Sequence, residues 1–258
     1  MCADGNLVRF STNRGIARSV NVGLKVARDV GASWLLTLDQ DSDLPLSYVE
    51  NLVADVVEAT RQGIRVGVIG PRYIHGTNGT ISYPESSSQG WPTTAEILQS
   101  GALWSVAALD EIGGFDESLG IDAVDTAACL SLRERGFDVV LSPSCTMNHE
   151  WGNARWITLL GRRVAITGHS PERRTTMVRN RLRLAPREFR RSPVQALRSL
   201  RRLVAGTVLA VTVEDDRLRK AGATLRGLTP GRARVVDSRG SDDEDGVSTL
   251  DNSPRVLP

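Results

Sequence analysis

The chain has 258 residues, 40% apolar and 24% charged, which excludes a fibre and a wholly disordered polymer and allows one large α/β domain with an appended segment. A net charge of +2 conceals a partition: residues 1–152 hold 10 Arg/Lys against 19 Asp/Glu, residues 153–234 hold 20 against 5, and residues 235–258 hold 2 against 6. Three cysteines, Cys2, Cys129 and Cys145, show no metal-ligand spacing, and their odd number argues against a disulfide framework, so they read as reduced thiols of a cytoplasmic protein.

"MCADGNLVRF" shows neither the basic nor the apolar region of a secretory signal, and "NLVRFS" reads as a strand. In "NRGIARSVNVGLKVARDVG", Ile16, Val20, Leu24 and Ala27 fall at helical spacing up to Gly31. "SWLLTL" reads as a short apolar strand buried on both faces of a parallel sheet. "LSYVENLVADVVEAT" follows as a helix with Val49, Leu52, Val53, Val56 and Val57 on one stripe, and "RVGVIGP" as a strand. This β-α-β-α-β order predicts right-handed crossovers and a mostly parallel sheet.

Residues 74–96, rich in Gly, Ser, Thr and Pro, read as a long loop holding at most one hairpin strand. "ILQSGALWSV", a short helix "AALDEIG", the helix "DTAACLSLRERG" and the strand "FDVVLSP" complete a core over residues 1–152. Residues 153–234 read as a basic helical segment punctuated by Pro171, Pro186 and Pro193, and residues 235–258 as a disordered acidic tail. The uncharged run Leu203–Val213 is well short of the ~20 residues that a spanning helix needs.

Between the second strand and its helix, "LDQDSD" places Asp39, Asp41 and Asp43 at a strand's carboxyl end, where open α/β sheets bind ligands. Two carboxylates two residues apart on extended chain repel unless a cation lies between them, and oxygen donors of this kind suit Mg²⁺ or Mn²⁺. The plainer reading is a solvated turn in which Ser42 or Asp43 caps the next helix.

The ordered set "NRGIARSVNVGL", "WLLTLDQDS", "LQSGALWS", "IGGFDESLGIDAVDTAACLSLRERGFDVVLSP" and "NHEWG" resembles glycosyltransferase family 2, inverting transferases of the Rossmann-like GT-A fold. "LDQDS" together with "HSPERRTTMVRN" resembles the rhamnosyltransferase branch, which builds bacterial surface glycans. The resemblance implies transfer of a sugar from a nucleotide-diphosphate donor, dTDP-rhamnose in that branch, to a lipid-linked or polysaccharide acceptor. It implies that Asp39, Asp41 and His149 hold a divalent metal, Mn²⁺ or Mg²⁺, and that Asp125 is the base, with Asp122 as its rival. Asn13, Gly15, Asn21, Ser100, Gly101, Gly114, Arg173 and Arg174 match segments lining the donor and acceptor. Ala127 and Ser131 depart from the family pattern, which has an acidic residue and Arg there.

A first strand with a "TYN"-like turn and a second with a "DN-x-S"-like motif, which in this family bind the nucleotide base, are not found in the chain. The expectation is therefore an N-terminally truncated GT-A core. Two readings stay open: a transferase whose start is misassigned, and an inactive remnant that retains only membrane or acceptor binding. The basic segment has no recognisable nucleic-acid motif and few aromatics, so its expected partner is an anionic membrane surface, placing the protein peripherally on the inner face of the plasma membrane.

Overall fold

The computed structural model describes residues 8–76, 79–149, 155–159, 162–166 and 168–229. The expected tail at 235–258, and Cys2, lie outside these residues.

Gly15 precedes helix α1 (Ile16–Asp29), which buries Ala17, Val20, Leu24 and Ala27, close to the expected stripe. Strand β1 (Trp34–Thr37) and the two-residue β2 (Ser42–Asp43) follow, then α2 (Tyr48–Arg61) and the long β3 (Val66–Gly76). The expected loop carries β4 (Gly79–Ser82), β5 (Ser86–Ser88) and β6 (Trp91–Thr93), three short strands in place of at most one. Next come β7 (Ala102–Ser105), α3 (Val106–Ile112), a 3₁₀ turn at Glu117–Leu119, α4 (Val124–Glu134) and β8 (Asp138–His149). The described part of "NLVRFS" forms no strand.

The main sheet has the order β1-β7-β3-β8-β6-β5, with β2 also pairing β8 and β4 pairing β3. The sheet is α/β as expected, and β1, β3 and β8 run in one direction. Its pairing is mixed rather than mostly parallel, because β7 inserts antiparallel between β1 and β3, leaving β3–β8 as the parallel pair among the described strands. β6 and β7 both run opposite to β3 and β8, so the chain has already reversed before residues 94–101 carry it across the sheet to β7.

Both faces of the centre are covered. Val68, Trp104, Val139 and Leu141 pack with α1, α3 and α4, while Ile69, Leu103, Val140 and Met147 pack with α2. Successive side chains on a strand point to opposite faces, so burial on both sides gives the continuous apolar runs of β3 and β8. The run in β1 has a different cause. It lies at the edge of the described sheet, with Trp34, Leu35 and Leu36 half-buried and only Thr37 fully buried.

Helix α2 also sits rotated from its expected stripe: Tyr48, Leu52, Val56 and Ala59 face inward with Asp55, whereas Val49, Val53 and Val57 are exposed. The Asp55 carboxylate accepts hydrogen bonds from the Ser142 and Ser144 hydroxyls on β8. A buried carboxylate is tolerated only with such partners, and satisfying it sets the helix's angle.

The basic segment opens on an antiparallel pair, β9 (Arg155–Leu159) with β10 (Arg162–Ile166), not on a helix. Helices α5 (Pro171–Arg191), α6 (Pro193–Thr212) and α7 (Arg217–Leu228) then pack on one another. Ser170 and Ser192 cap α5 and α6 by accepting from the backbone N–H of Arg173 and Gln195, each followed by proline at the first helical position. Pro186 lies inside α5 without ending it.

Candidate active site

The acidic loop leaves β1 at Thr37, whose hydroxyl donates to the Gln99 and Ala102 carbonyls and accepts from Trp104 Nε1 at 2.9 Å. The Asp39 backbone N–H donates to Ser100 Oγ at 3.0 Å, and Ser100 Oγ lies 2.6 Å from Ser42 Oγ. Ser42 Oγ in turn lies 2.8 Å from His149 Nδ1, because β2 pairs with the end of β8, setting Ser42 opposite His149 and Asp43 opposite Asn148. Ser42 is thus a junction within the site rather than a helix cap, and Asp43 is an exposed ladder residue.

Asp39, Asp41 and His149 converge, with one potential ligand atom from each lying within 4.8 Å of the others. Burial raises the Asp39 carboxyl above its ordinary value; His149 pulls it down and Asp41 pushes it up again. Two carboxylates and an imidazole at this spacing fit a hard divalent cation such as Mg²⁺ or Mn²⁺, and the serines behind them orient the donors.

Gly101, next to Ser100, has φ +75°, and any β-carbon there would fall 2.4 Å from Met147 Sδ. Its N–H donates to Thr37 O at 2.9 Å and its carbonyl accepts from Tyr48 OH at 2.7 Å, which locks the turn that presents Ser100.

The second cluster lies at the start of α4. Asp122 and Ala123 both have positive φ, 64° and 62°, an unusual pair of strained residues outside glycine. Asn180 on α5, 1% exposed, holds this turn: its side-chain amide lies 3.0, 2.9 and 2.9 Å from the carbonyls of Leu119, Ile121 and Asp122. Arg173 forks onto the Asp122 carboxylate, with Nη2 to Oδ1 at 2.9 Å and Nε to Oδ2 at 3.1 Å.

Asp125 sits in the first turn of α4, its Oδ1 accepting from the Thr126 backbone N–H at 2.7 Å. Burial pushes its carboxyl up to about 6; the Thr126 N–H opposes this, and Glu96 adds to it. Glu96 itself accepts from Thr126 Oγ1 at 3.1 Å and pairs with Arg181 at 3.4 Å and Arg202 at 3.0 Å.

The two clusters are joined by the segment from Glu96, at Thr126, to Ser100, at Asp39. Four residue steps limit those two Cα atoms to about 14 Å apart. Metal-type donors and a carboxyl titrating near neutrality therefore belong to one region.

The remaining sequence candidates contact the protein itself. Asn13 Oδ1 accepts from the Gly15 N–H at 2.9 Å, and the Ile16 N–H reaches Gly120 O at 3.0 Å. Asn21 clamps the "GGF" turn, its Oδ1 accepting from the Phe115 N–H at 2.8 Å and its Nδ2 donating to the Phe115 carbonyl at 2.9 Å. Gly114 passes so close that a β-carbon would meet Asn21 Oδ1 at 2.8 Å. Arg174 is buried and lines a cavity between α5 and α6. Ser131 accepts from Arg187 Nη2 at 2.8 Å, so the helical arm brings an arginine to the position where the family pattern has one on α4.

Sequence reasoning passed over Ser42, Glu96 and Asn180 as site residues. Asn180 stands inside "HSPERRTTMVRN", and a lone amide within an Arg-rich helix was the available signal.

The chain is 26% identical over 259 aligned positions to "dTDP-rhamnosyl transferase RfbF" of Shigella flexneri, an alignment covering 88% of this chain and 80% of that protein. The likeness is to a curated sugar transferase. No family model matches the chain. Among solved structures, the chain is similar to residues 1–349 of S. aureus TarS at 15% identity, covering 84% of this chain and 62% of that one with a TM-score of 0.49. It is also similar to GalNAc-T7 crystallised with UDP, GalNAc and Mn²⁺, at 14% identity, 67% and 35% coverage and a TM-score of 0.45.

Proposed function

We propose that this glycosyltransferase moves rhamnose from a dTDP-linked donor to a hydroxyl of a lipid-linked or polysaccharide acceptor, with inversion, in cell-surface glycan synthesis. The observation that carries the reading is the Asp39–Asp41–His149 cluster, tied through Ser100 and Glu96 to the raised carboxyl of Asp125. The relative's name supplies the donor class.

In such a displacement the acceptor oxygen bonds to the anomeric carbon as the bond to the diphosphate oxygen breaks, and the hydroxyl proton passes to a carboxylate. Asp125 suits that step. With its carboxyl near 6 it is ionised at neutral pH yet basic enough to take the proton. Asp122 suits it less, because the Arg173 fork neutralises its carboxylate. Asp39, Asp41 and His149 would hold Mn²⁺ or Mg²⁺, which supplies positive charge to the departing diphosphate.

A peripheral site on the inner face of the plasma membrane agrees with α6, where Val194, Leu197, Val204 and Val208 form an exposed apolar row beside Arg198 and Arg201. Among the described residues, no helix is long and apolar enough to cross a membrane.

The test is release of dTDP from dTDP-rhamnose by the purified chain. The expected result is release that requires Mn²⁺ or Mg²⁺ and falls at least ~100-fold in Asp125→Asn. Neither release nor metal-dependent dTDP binding would sink the proposal.

A further inference from the structure

Beside the edge strands β5 and β6, between the start of β8, the end of α4 and the start of α6, lies a cavity of about 410 Å³. It is set apart from the metal-type cluster, because Asp138 on its wall opens β8 and His149 closes that 12-residue strand. Gln195, Ser199 and Arg202 line it at the helical spacing i, i+4, i+7, a different stripe of α6 from the exposed Leu197, Val204 and Val208.

Charge on this wall is unbalanced. Glu85 is taken by Arg72 at 2.8 Å, and Glu96 by Arg181 at 3.4 Å and Arg202 at 3.0 Å. Arg181 also reaches Glu188, buried behind the wall, at 3.6 Å. Among the described residues, the wall's Arg133, Arg191 and Arg198 make no ion pair, and Asp138 is its one carboxylate outside an ion pair, accepting from Ser88 Oγ at 3.4 Å. The surplus is two positive charges, the magnitude of a phosphate monoester near neutral pH.

Arg133 is half-buried, with Nη1 donating to Gln195 Oε1 at 3.2 Å, while Nε and Nη2 stay open to solvent. Burial and the like charge of Arg191 hold Arg133 below its ordinary pKa, against the opposing pull of Asp138 and Glu188. Two guanidiniums that repel on one wall are relieved by a shared anion, and the planar fork of arginine matches phosphate oxygens. The 20-residue α6 also opens on this cavity at Ser192, which adds partial positive charge.

The remaining groups select what carries the phosphate. Ser86, Ser87 and Ser88 of β5 put three hydroxyls on the wall, and Ser88 spends its proton on Asp138, which leaves its oxygen to accept from a ligand hydroxyl. Phe137 and Val139 are buried, and the Arg65 guanidinium covers the Phe137 ring at 3.8 Å, so neither a nucleobase nor a hydrocarbon chain finds a face there.

We propose that this cavity is a second ligand site that takes a phosphorylated sugar, with the phosphate on Arg133, Arg191 and Arg198 and the sugar hydroxyls on the serines of β5. It uses none of the metal or base residues, so it stands or falls apart from the transfer reaction.

Calorimetric titration of the full chain in EDTA with glucose 6-phosphate and with inorganic phosphate tests this. Glucose 6-phosphate is expected to bind with a Kd of about 1 mM or below, and at least ~5-fold more tightly than inorganic phosphate, the scale of one or two added hydrogen bonds. Arg133→Gln is expected to weaken both probes at least ~10-fold, the scale of a lost charge-assisted hydrogen bond. Arg191→Gln, at an exposed position where the fold tolerates the change, should weaken both at least ~5-fold. Asp39→Ala should bind both probes as the wild type does.

No binding of either probe to the wild-type chain, or wild-type affinity in Arg191→Gln, overturns the site. Equal affinity for the two probes assigns the cavity to free phosphate and overturns the sugar. Loss of binding in Asp39→Ala assigns the probes to the metal-type cluster and overturns a separate site. Failure of the transfer reading shows on a different readout, metal-dependent release of dTDP, which these titrations do not measure.

Discussion

Asp39 and Asp41 reach His149 through chain that is close in the fold's own ladder: a strand end, a four-residue turn and two pairs between β2 and β8. Asp125 instead depends on a strained turn held by side chains of α5, from the basic arm. The first cluster belongs to the sheet and survives as long as the sheet does. The second is assembled across the boundary between the acidic body and the basic arm, so it can be disturbed from the arm while the body stays folded.

The largest expected effect tests the body's half. Asp39→Ala removes one of three donors, and dTDP release should fall about 1,000-fold, equivalent to about 4 kcal/mol of transition-state stabilisation, with Mn²⁺ affinity falling in parallel. Release at the wild-type rate would show that the cluster is an acidic turn without a cation.

Asn180→Leu tests the arm's half. It keeps the side chain's size but removes the donors from three carbonyls, so the protein should lose about 1–3 kcal/mol of stability by urea denaturation. dTDP release should fall by about tenfold while Mn²⁺ affinity stays at the wild-type value. A matching loss of Mn²⁺ affinity would break the distinction between the halves.

The smallest effect concerns Asp125 as a source of strain. Its folded carboxyl lies at about 6 against an ordinary value of 3.8, so the folded state binds the proton more tightly than the unfolded state. Its contribution to stability is fully present below pH 3.8 and is lost as pH rises through about 6. Asp125→Asn should therefore be more stable than wild type at pH 8 by roughly 1 kcal/mol, a value discounted for partial exposure, with the gap closing toward pH 4. An unchanged gap across that range in urea titrations would show that burial of the carboxyl is not what sets its pKa.

Much of this was readable from local pattern. The α1 stripe, the strands β3 and β8, the helix α4 and the acidic loop follow from periodicity and from charge at a strand end. The observed face of α2 differs from the expected stripe because four valines and a leucine outweigh Asp55 and Tyr48 in the pattern, while the side-chain oxygens of those two residues find partners on β8 and at Gly101. The strands of residues 79–93 escaped notice because serine, threonine and glycine carry little strand signal until a neighbouring strand supplies hydrogen bonds.

By itself the sequence determined the α/β character, the Asp39–Asp41 carboxylate pair and the division into acidic body and basic arm. Each follows from residue type and spacing along the chain. Only the tertiary structure decided that β7 inserts antiparallel beside β1, that Ser100 and Ser42 link Asp39 to His149, and that Asn180 holds the turn before Asp125. Those relations join residues far apart in the chain through single hydrogen bonds, whose geometry exists only once both packed faces of the sheet have formed.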